Sequence, residues 1–533
     1  MALHFASFQT TSSLPFTGTA PVPFDHSKTT TDRRSANYLP TVWDYDRIQS
    51  IKCDYQGEQY MNRSKVLKQQ LNALLVERIN EPVALLELID SIQRLGVGYH
   101  FEEEIKVAPD NIYASGNIQQ SWSDDLYRVS LAFRLLRQHG YHMSSDVFGR
   151  FKDEKGNFKL SLIGDVKGML NLYEAAHQCL PGEYVMDEAW GFTNRNLKKA
   201  LMDQIEPSLA QKIQHSLEIP LHWRTIRQEA KHYMGDYAQE DHMVPILLEF
   251  ATLDFNSVQC MHQENLTNMS RWWADLGLST NLPFARDLLV ETLWCTIGLI
   301  FEPEFSMTRE ALTKINCLIA SIDDVYDIYG SQDELELFTT AEQGLDIKNN
   351  LKKMWAELCK AFLVEAKWFK MSYTPTLDEY LSNGWISSSG PLILVHAYFL
   401  VAQNITEEAI NCISNDLNLI RWPSLMFRLC NDVATSADEI QNAATSIQCY
   451  MHETGASEEV AHSNIKELIR DVWKKLNGEC LTPSLFPKPY VNIVVNLARV
   501  AYCLYRCGDG YGNPNFDTRE HVKELLFQPM PTT

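Results

Sequence analysis

Basic stretches, paired cysteines and long apolar runs are what this chain of 533 residues has little of. Lys and Arg number 47 against 68 Asp and Glu, a formal net charge of -21, and no basic stripe is interleaved with aromatics. Such a balance repels a phosphate backbone and argues against nucleic acid as a partner. The 12 cysteines are scattered without a CxxC pair, and only Cys503 and Cys507 share a short segment. Neither a zinc site nor a disulfide framework is signalled, and a reducing compartment is expected. No uninterrupted apolar run reaches the length of a membrane span. Strand-like alternation bounded by hairpin turns is almost absent, and no repeat of solenoid length is visible.

What is present is an ordinary globular balance, 45% hydrophobic and 22% charged, arranged as a succession of amphipathic helices such as VLKQQLNALLVERI and PVALLELIDSIQRL. The expected fold is all-α, as two helical bundles. Residues 1–32 are rich in Ser and Thr, hold only two acidic residues and no arginine, and show no helical stripe. They read as a disordered segment and a possible short transit peptide, with a plastid location favoured and the cytoplasm as the alternative. Pro220 interrupts the helical pattern, and a fresh set of helices begins at PILLEFATLDFNSVQ. The first helical domain is therefore set at residues 33–237 and the second at 238–533.

In the second domain IDDVYDIYG follows an apolar helical run. Asp323 and Asp327 stand one helical turn apart, downstream of Ile315, Leu318, Ile319 and Ile322 on the buried stripe. Ionised groups there are costly unless a cation neutralises them. A second oxygen-rich face lies in LMFRLCNDVATSADEI, where Asn431, Thr435 and Glu439 are spaced i, i+4 and i+8, with Arg428 on the same side. Amide, hydroxyl and carboxylate oxygens suit a hard cation such as magnesium. Either face alone reads as solvated surface; two in one bundle, beside arginines, suit a metal cluster that binds a diphosphate.

DDVYD followed by NDVATSADE resembles the aspartate-rich and NSE/DTE motifs of plant class I terpene synthases, closest to the angiosperm group of cyclic monoterpene synthases. Arg33 and Arg34 in RRSANYLPTVW, with Trp43 after eight intervening residues, resemble the tandem-arginine motif of that family. FRLLRQHG, NLYEAA, PLHWR, RWW, YTPTLDEYL and CYMHETGASEEVA are similar phrases in the same order. The resemblance runs from Arg33 to the C-terminus. It implies an N-terminal α-barrel-like domain, here without the DxDD acid motif, and a C-terminal class I bundle that releases diphosphate from a prenyl diphosphate as a lyase.

Three magnesium ions, with manganese as a substitute, are implied, held by Asp323, Asp327, Asn431, Thr435 and Glu439. Asp324, about 100° away on the helix, would support them. Arg286 and Arg428 would grip the diphosphate as forked donors. Asp323, Asp327, Asn431 and Trp294 would also face the substrate. For Trp294, and for Tyr502 or Tyr505, the two readings are a cation-stabilising face and plain core packing. ISSSGP, Ile386 to Pro391, resembles the family's broken helix; CGDGYG, Cys507 to Gly512, resembles its closing loop, with Gly508, Gly510 and Gly512 as sources of flexibility. Arg33, Arg34 and Trp43 would fold across the mouth of the site. The implied protein is a monomer.

Three features depart from the family pattern. Only EQGLDIKNNLKK connects DELELFTTA to the MWAELCKAF helix, where a further helix is usual; QNAATSIQCY replaces a longer charged turn after Glu439; and Leu288 stands where a second arginine is usual. The expected substrate is geranyl diphosphate, giving a monoterpene. The alternatives are a sesquiterpene synthase acting on farnesyl diphosphate, and a weakly active or inactive homologue. A chain-elongating prenyltransferase would carry a second aspartate-rich motif in place of NDVATSADE.

Overall fold

A computed structural model describes residues 38–531 except 39, 116–121, 123, 204, 342–348, 404, 416–417, 437–443, 483 and 513. Among the described residues every regular element is a helix or helical turn, apart from one isolated bridge between Lys152 and Phe158. The helices form because apolar residues recur every three or four positions. Leu67, Leu71 and Leu75 are the buried stripe of the helix Glu58–Glu77, and that stripe packs on the helix Pro245–Leu276. Pro245 opens the latter without wasting a backbone N–H, and Gly277, at φ 67, closes it.

Among the described residues two large apolar cores result, beside two small clusters. The helices Leu126–Gln138, Val166–Ala176 and Tyr184–Ala200 surround Phe133, Phe148, Leu172 and Met186. The larger core extends from Leu67 and Ile89 through Phe250, Leu293 and Met426 to Leu526. The helix Ile226–Tyr237 ends at the position where the sequence suggests a domain boundary. A polar seam joins the two cores. His222 accepts from Gln178 at 2.9 Å and donates to Asn477 Oδ1 at 2.8 Å. The Asn477 amide donates to the carbonyls of His177 and Cys179, each at 3.0 Å. Trp223 and Trp473 stack beside them with centroids 5.5 Å apart.

Two findings correct or refine the sequence reading. Cys53 and Cys260 form a disulfide across a separation of 207 residues, a pairing no local spacing could signal. The stretch Leu377–Val401 is long and apolar enough to cross a membrane by composition, yet most of it is buried inside the bundle and it is two helices, Leu377–Ser387 and Gly390–Val401.

Candidate active site

The second bundle encloses a cavity of about 510 Å³, and Arg286, Asp323, Asp327, Arg428 and Asn431 all line it. Four segments deliver them. The helix Ser306–Asp324 ends at the doubled aspartate, and the chain continues through a π-helical turn, Val325–Tyr329, which carries Asp327. The wider turn keeps both carboxylates on the cavity side. Single-turn π insertions are frequent at functional sites.

Asp324 points elsewhere. It is fully buried and takes Arg286 in a fork: the Arg286 backbone N–H and Nε each donate to it at 2.8 Å, and Nη2 lies 2.7 Å from Oδ1. Arg286 Nη2 also reaches Asp323 at 3.2 Å. Asp324 thus orients the arginine and leaves Asp323 and Asp327 as the exposed pair of oxygens. Burial raises the Asp323 carboxyl to about 6 despite the Arg286 charge, and burial with repulsion from Asp323 and Glu365 raises Asp327 well above the carboxylate range. Carboxylates crowded together in a cavity favour whatever brings positive charge.

Opposite stands the helix Asn418–Thr435. Asn431 lines the cavity, whereas Thr435 is buried and gives its hydroxyl to the Asn431 carbonyl at 3.0 Å. Glu439 and the first residues of the shortened turn after it, to 443, lie outside the described residues, as do Arg33, Arg34 and part of the connector after Ala341; the rest of that turn leads through Thr445, the N-cap, into the helix Ser446–Thr454. Leu288 is buried at the cavity wall and N-caps the helix Leu289–Leu299.

Arg428 is held against the break between Leu377–Ser387 and Gly390–Val401. Its Nε donates to the Gly384 carbonyl at 3.3 Å and its Nη2 to Ser387 Oγ at 2.8 Å. The break is at Ser388 and Ser389, both lining the cavity, with Ser389 at φ 64. A serine held in the left-handed region is strained, and such residues persist where the surroundings over-determine them. The chain resumes at Gly390 because a Cβ there would stand 2.3 Å from Ser424 Oγ.

The loop Cys507 to Gly512 closes one side. A Cβ on Gly512 would meet Arg286 Nη1 at 2.7 Å, and one on Gly510 would meet the Leu504 carbonyl at 2.2 Å. Close approach to backbone, rather than flexibility, therefore requires glycine at Gly510, while a side chain at Gly512 would displace the Arg286 guanidinium. Tyr511 is pinned by a 3.0 Å hydrogen bond between its hydroxyl and Thr292. Across the mouth, Trp43 donates to Glu291 at 2.7 Å and stacks on Phe527, while Tyr38 faces Arg286 with 5.0 Å between guanidinium and ring centroid.

Among the aromatics named from sequence, only Tyr505 lines the cavity, edge-on to Phe427 at 5.4 Å. Trp294 is buried in the core and is not among the lining residues; on its helix Thr292, Cys295 and Leu299 face the cavity instead. One position of helix rotation, about 100°, separates Trp294 from Cys295. Tyr502 packs against Trp223 at 4.8 Å.

Sequence reasoning missed Glu365, which lines the cavity, accepts from Asn383 at 3.2 Å and from Ser387, and lies 3.4 Å from Arg428. The signal was available: Glu365 continues the buried stripe of Leu358 and Phe362 on the helix Asn349–Lys370, just as Asp323 continues its own. Asp432 was missed as well. It takes the Tyr380 hydroxyl at 2.9 Å and the Ser446 N–H at 3.0 Å, and burial raises it to about 6.

Comparison with known proteins adds the following. Residues 42–217 match the terpene synthase N-terminal domain, and residues 274–349 and 340–475 match the terpene synthase metal binding domain. The chain is 47% identical to a (-)-alpha-terpineol synthase of Vitis vinifera, over 94% of this chain and 91% of the relative. A limonene synthase crystallised with 2-fluorolinalyl diphosphate superposes with a TM-score of 0.90 at 35% identity, covering 94% of this chain and 100% of that one. An isoprene synthase of grey poplar, in complex with three Mg2+ ions and dimethylallyl-S-thiolodiphosphate, gives 0.84 at 40% identity, covering 92% and 99%. Several further relatives are named chloroplastic.

Proposed function

The chain belongs to the terpene synthase family, and from that premise we propose that it converts geranyl diphosphate to a monoterpene with release of diphosphate. The observation that carries this reading is the make-up of one cavity, which is lined by Asp323, Asp327, Arg286 and Arg428 together with aromatic and aliphatic side chains such as Phe427, Tyr505 and Ile393. Farnesyl diphosphate is the second substrate to test. The plastid is the favoured location, because relatives are named chloroplastic.

The donor set fits magnesium. Asp323, Asp327 and Asn431 offer only oxygen, and the raised carboxylate pKa values mark a site short of positive charge. Thr435 and Glu439 complete the proposed ligand set, with Thr435 turning its hydroxyl from the Asn431 carbonyl. Bound magnesium would neutralise the diphosphate as a leaving group. The protein's own part begins with Arg286, oriented by Asp324, and Arg428, oriented by Gly384 and Ser387, as forked donors to the phosphate oxygens. The Ser388 and Ser389 break brings polar backbone to the cavity wall, where the allylic cation would form. Tyr505, Phe427 and Tyr511 offer π faces that stabilise positive charge without attacking it. Trp43, Tyr38 and the Cys507 to Gly512 loop keep water out. Residues 33–237 serve to support and cap this domain, residues 238–533.

The test is to give purified protein magnesium and either geranyl or farnesyl diphosphate and to identify the volatile products. Magnesium-dependent monoterpene from geranyl diphosphate supports the reading. A preference for farnesyl diphosphate overturns the substrate, and no turnover of either overturns the activity.

A further inference from the structure

We propose that Cys53 and Cys260 are a redox modification site, whose disulfide tethers the N-terminal strap over the mouth of the cavity and whose reduction loosens it. The strap is the extended chain around the short helix Tyr45–Gln49. Its upstream end, Tyr38, Pro40, Thr41 and Val42, forms part of the cavity wall. Few groups hold it. Trp43 donates to Glu291, Gln49 donates to the Thr267 carbonyl at 3.1 Å and to Ser270 Oγ at 2.6 Å, and Arg271 donates back to Gln49 at 2.8 Å. Ile48 is its one buried hydrophobic residue within that helix. Its downstream root is the irregular segment before the helix Glu58–Glu77, and there Cys53 is bonded to Cys260 on the helix Pro245–Leu276, with Cα atoms 5.4 Å apart. Gln49 and Cys53 therefore anchor to one helix, and the disulfide fixes the register of the strap along it.

The two sulfurs differ in access, which gives the exchange a direction. Cys260 is 4% exposed, whereas Cys53 is only half-buried. A dithiol reductant attacks Cys53 Sγ; the S–S bond breaks with its electron pair on Cys260 Sγ, which takes up a proton. The second thiol of the reductant resolves the mixed disulfide, leaving Cys53 as a thiol and the reductant as its own disulfide. In the opposite direction the two thiols pass two electrons and two protons to oxidised glutathione, giving two glutathione thiols. The other cysteines are not in disulfide bonds, and most are buried.

The experiment equilibrates the full chain in glutathione buffers from reducing to oxidising. Thiol labelling with mass spectrometry is read at Cys53 and Cys260, and amide hydrogen exchange over residues 40–57. The expected result is one two-electron transition confined to this pair, with exchange in the strap at least about ten-fold faster in the reduced form. Cys53→Ser and Cys260→Ser should each exchange like the reduced parent in every buffer, whereas Cys412→Ser should keep the transition. Two thiols that stay labelled in every buffer overturn the proposal, as does equal strap exchange in oxidised and reduced protein. A turnover arm rests on the proposed activity: reduction should lower turnover several-fold and Cys53→Ser should abolish that dependence. Labelling and exchange need no substrate, so failure of the substrate assignment and failure of the tether are told apart.

Discussion

The cavity mouth and the seam between the two cores both bury polar groups, and they treat them in opposite ways. At the seam the amide and imidazole groups are paired: Gln178, His222 and Asn477 form a chain that ends on two backbone carbonyls, and His177 Nδ1 is satisfied by the Tyr173 carbonyl at 2.8 Å. Burial holds His177 and His222 neutral, lowering each to about 3. At the mouth, Asp323, Asp327 and Glu365 face one another, and desolvation, to which repulsion between these like charges adds, raises the first two. A satisfied network fixes a structure; a crowded one of like charge stores a demand for a cation.

The largest break in that comparison is Asp323→Ala. Turnover should fall about 10³-fold, as it does when one transition-state contact is removed, while the metal-free protein should melt no lower than the parent because a repulsive carboxylate is gone. Turnover within a few-fold of the parent would remove Asp323 from the site. Equal losses of turnover and melting temperature would make it a structural residue.

Acidification should separate the two regions by sign. His177 and His222 have folded pKa values below the ordinary 6.5, so the stability they contribute is complete above pH 6.5 and is lost as pH falls towards 3. Between them the loss should be about 3 kcal/mol at pH 5.5. Asp323 and Asp432, raised to about 6, act the other way: their stabilising effect is full below about 3.8 and is lost as pH rises through 6. Denaturant melts from pH 5 to 8, with and without magnesium, should show a metal-insensitive acid limb and a metal-sensitive neutral limb. A magnesium effect confined to the acid limb would refute the division.

Asn477→Leu addresses the seam alone. It removes the acceptor of His222 and leaves the carbonyls of His177 and Cys179 unpaired, which should cost about 2 kcal/mol of stability. Turnover at a temperature where the variant is folded should match the parent. An unchanged melting temperature would mean the seam is not the satisfied network described.

How much of this was legible in the sequence follows from distance along the chain. Periodicity gave the helices, and i, i+4 spacing placed Asp323 with Asp327 and brought Asn431 to the opposite wall. Contacts between distant segments were not legible: Arg286 with Asp324, Trp43 with Glu291, Cys53 with Cys260. The choice between the two readings of Trp294 was not legible, because a helix buried on all sides carries no stripe to show which side faces a cavity; ten of its eleven residues are buried. The broken helix at Ser388 and Ser389 was legible from composition, since small hydroxyl residues before Gly-Pro weaken a helix wherever they occur.

The finest test of the mouth is Glu365→Gln, which keeps the shape of the side chain and removes one charge. The amide oxygen can still accept from Asn383, Ser387 and Arg428, so the Arg428 cradle should survive and the melting temperature should change little. What changes is the field on the aspartates. Glu365 raises both Asp323 and Asp327, so its neutral replacement lets them ionise at lower pH. The pH at which magnesium begins to support turnover should therefore move down. At neutral pH the magnesium requirement should rise a few-fold, because the cluster has lost one negative charge that attracts the cation. Magnesium titrations at several pH values read both effects. If the onset moved up, or if the requirement were unchanged at every pH, Glu365 would be a positioning residue for Arg428 alone, and the demand for positive charge at the mouth would come from the two aspartates.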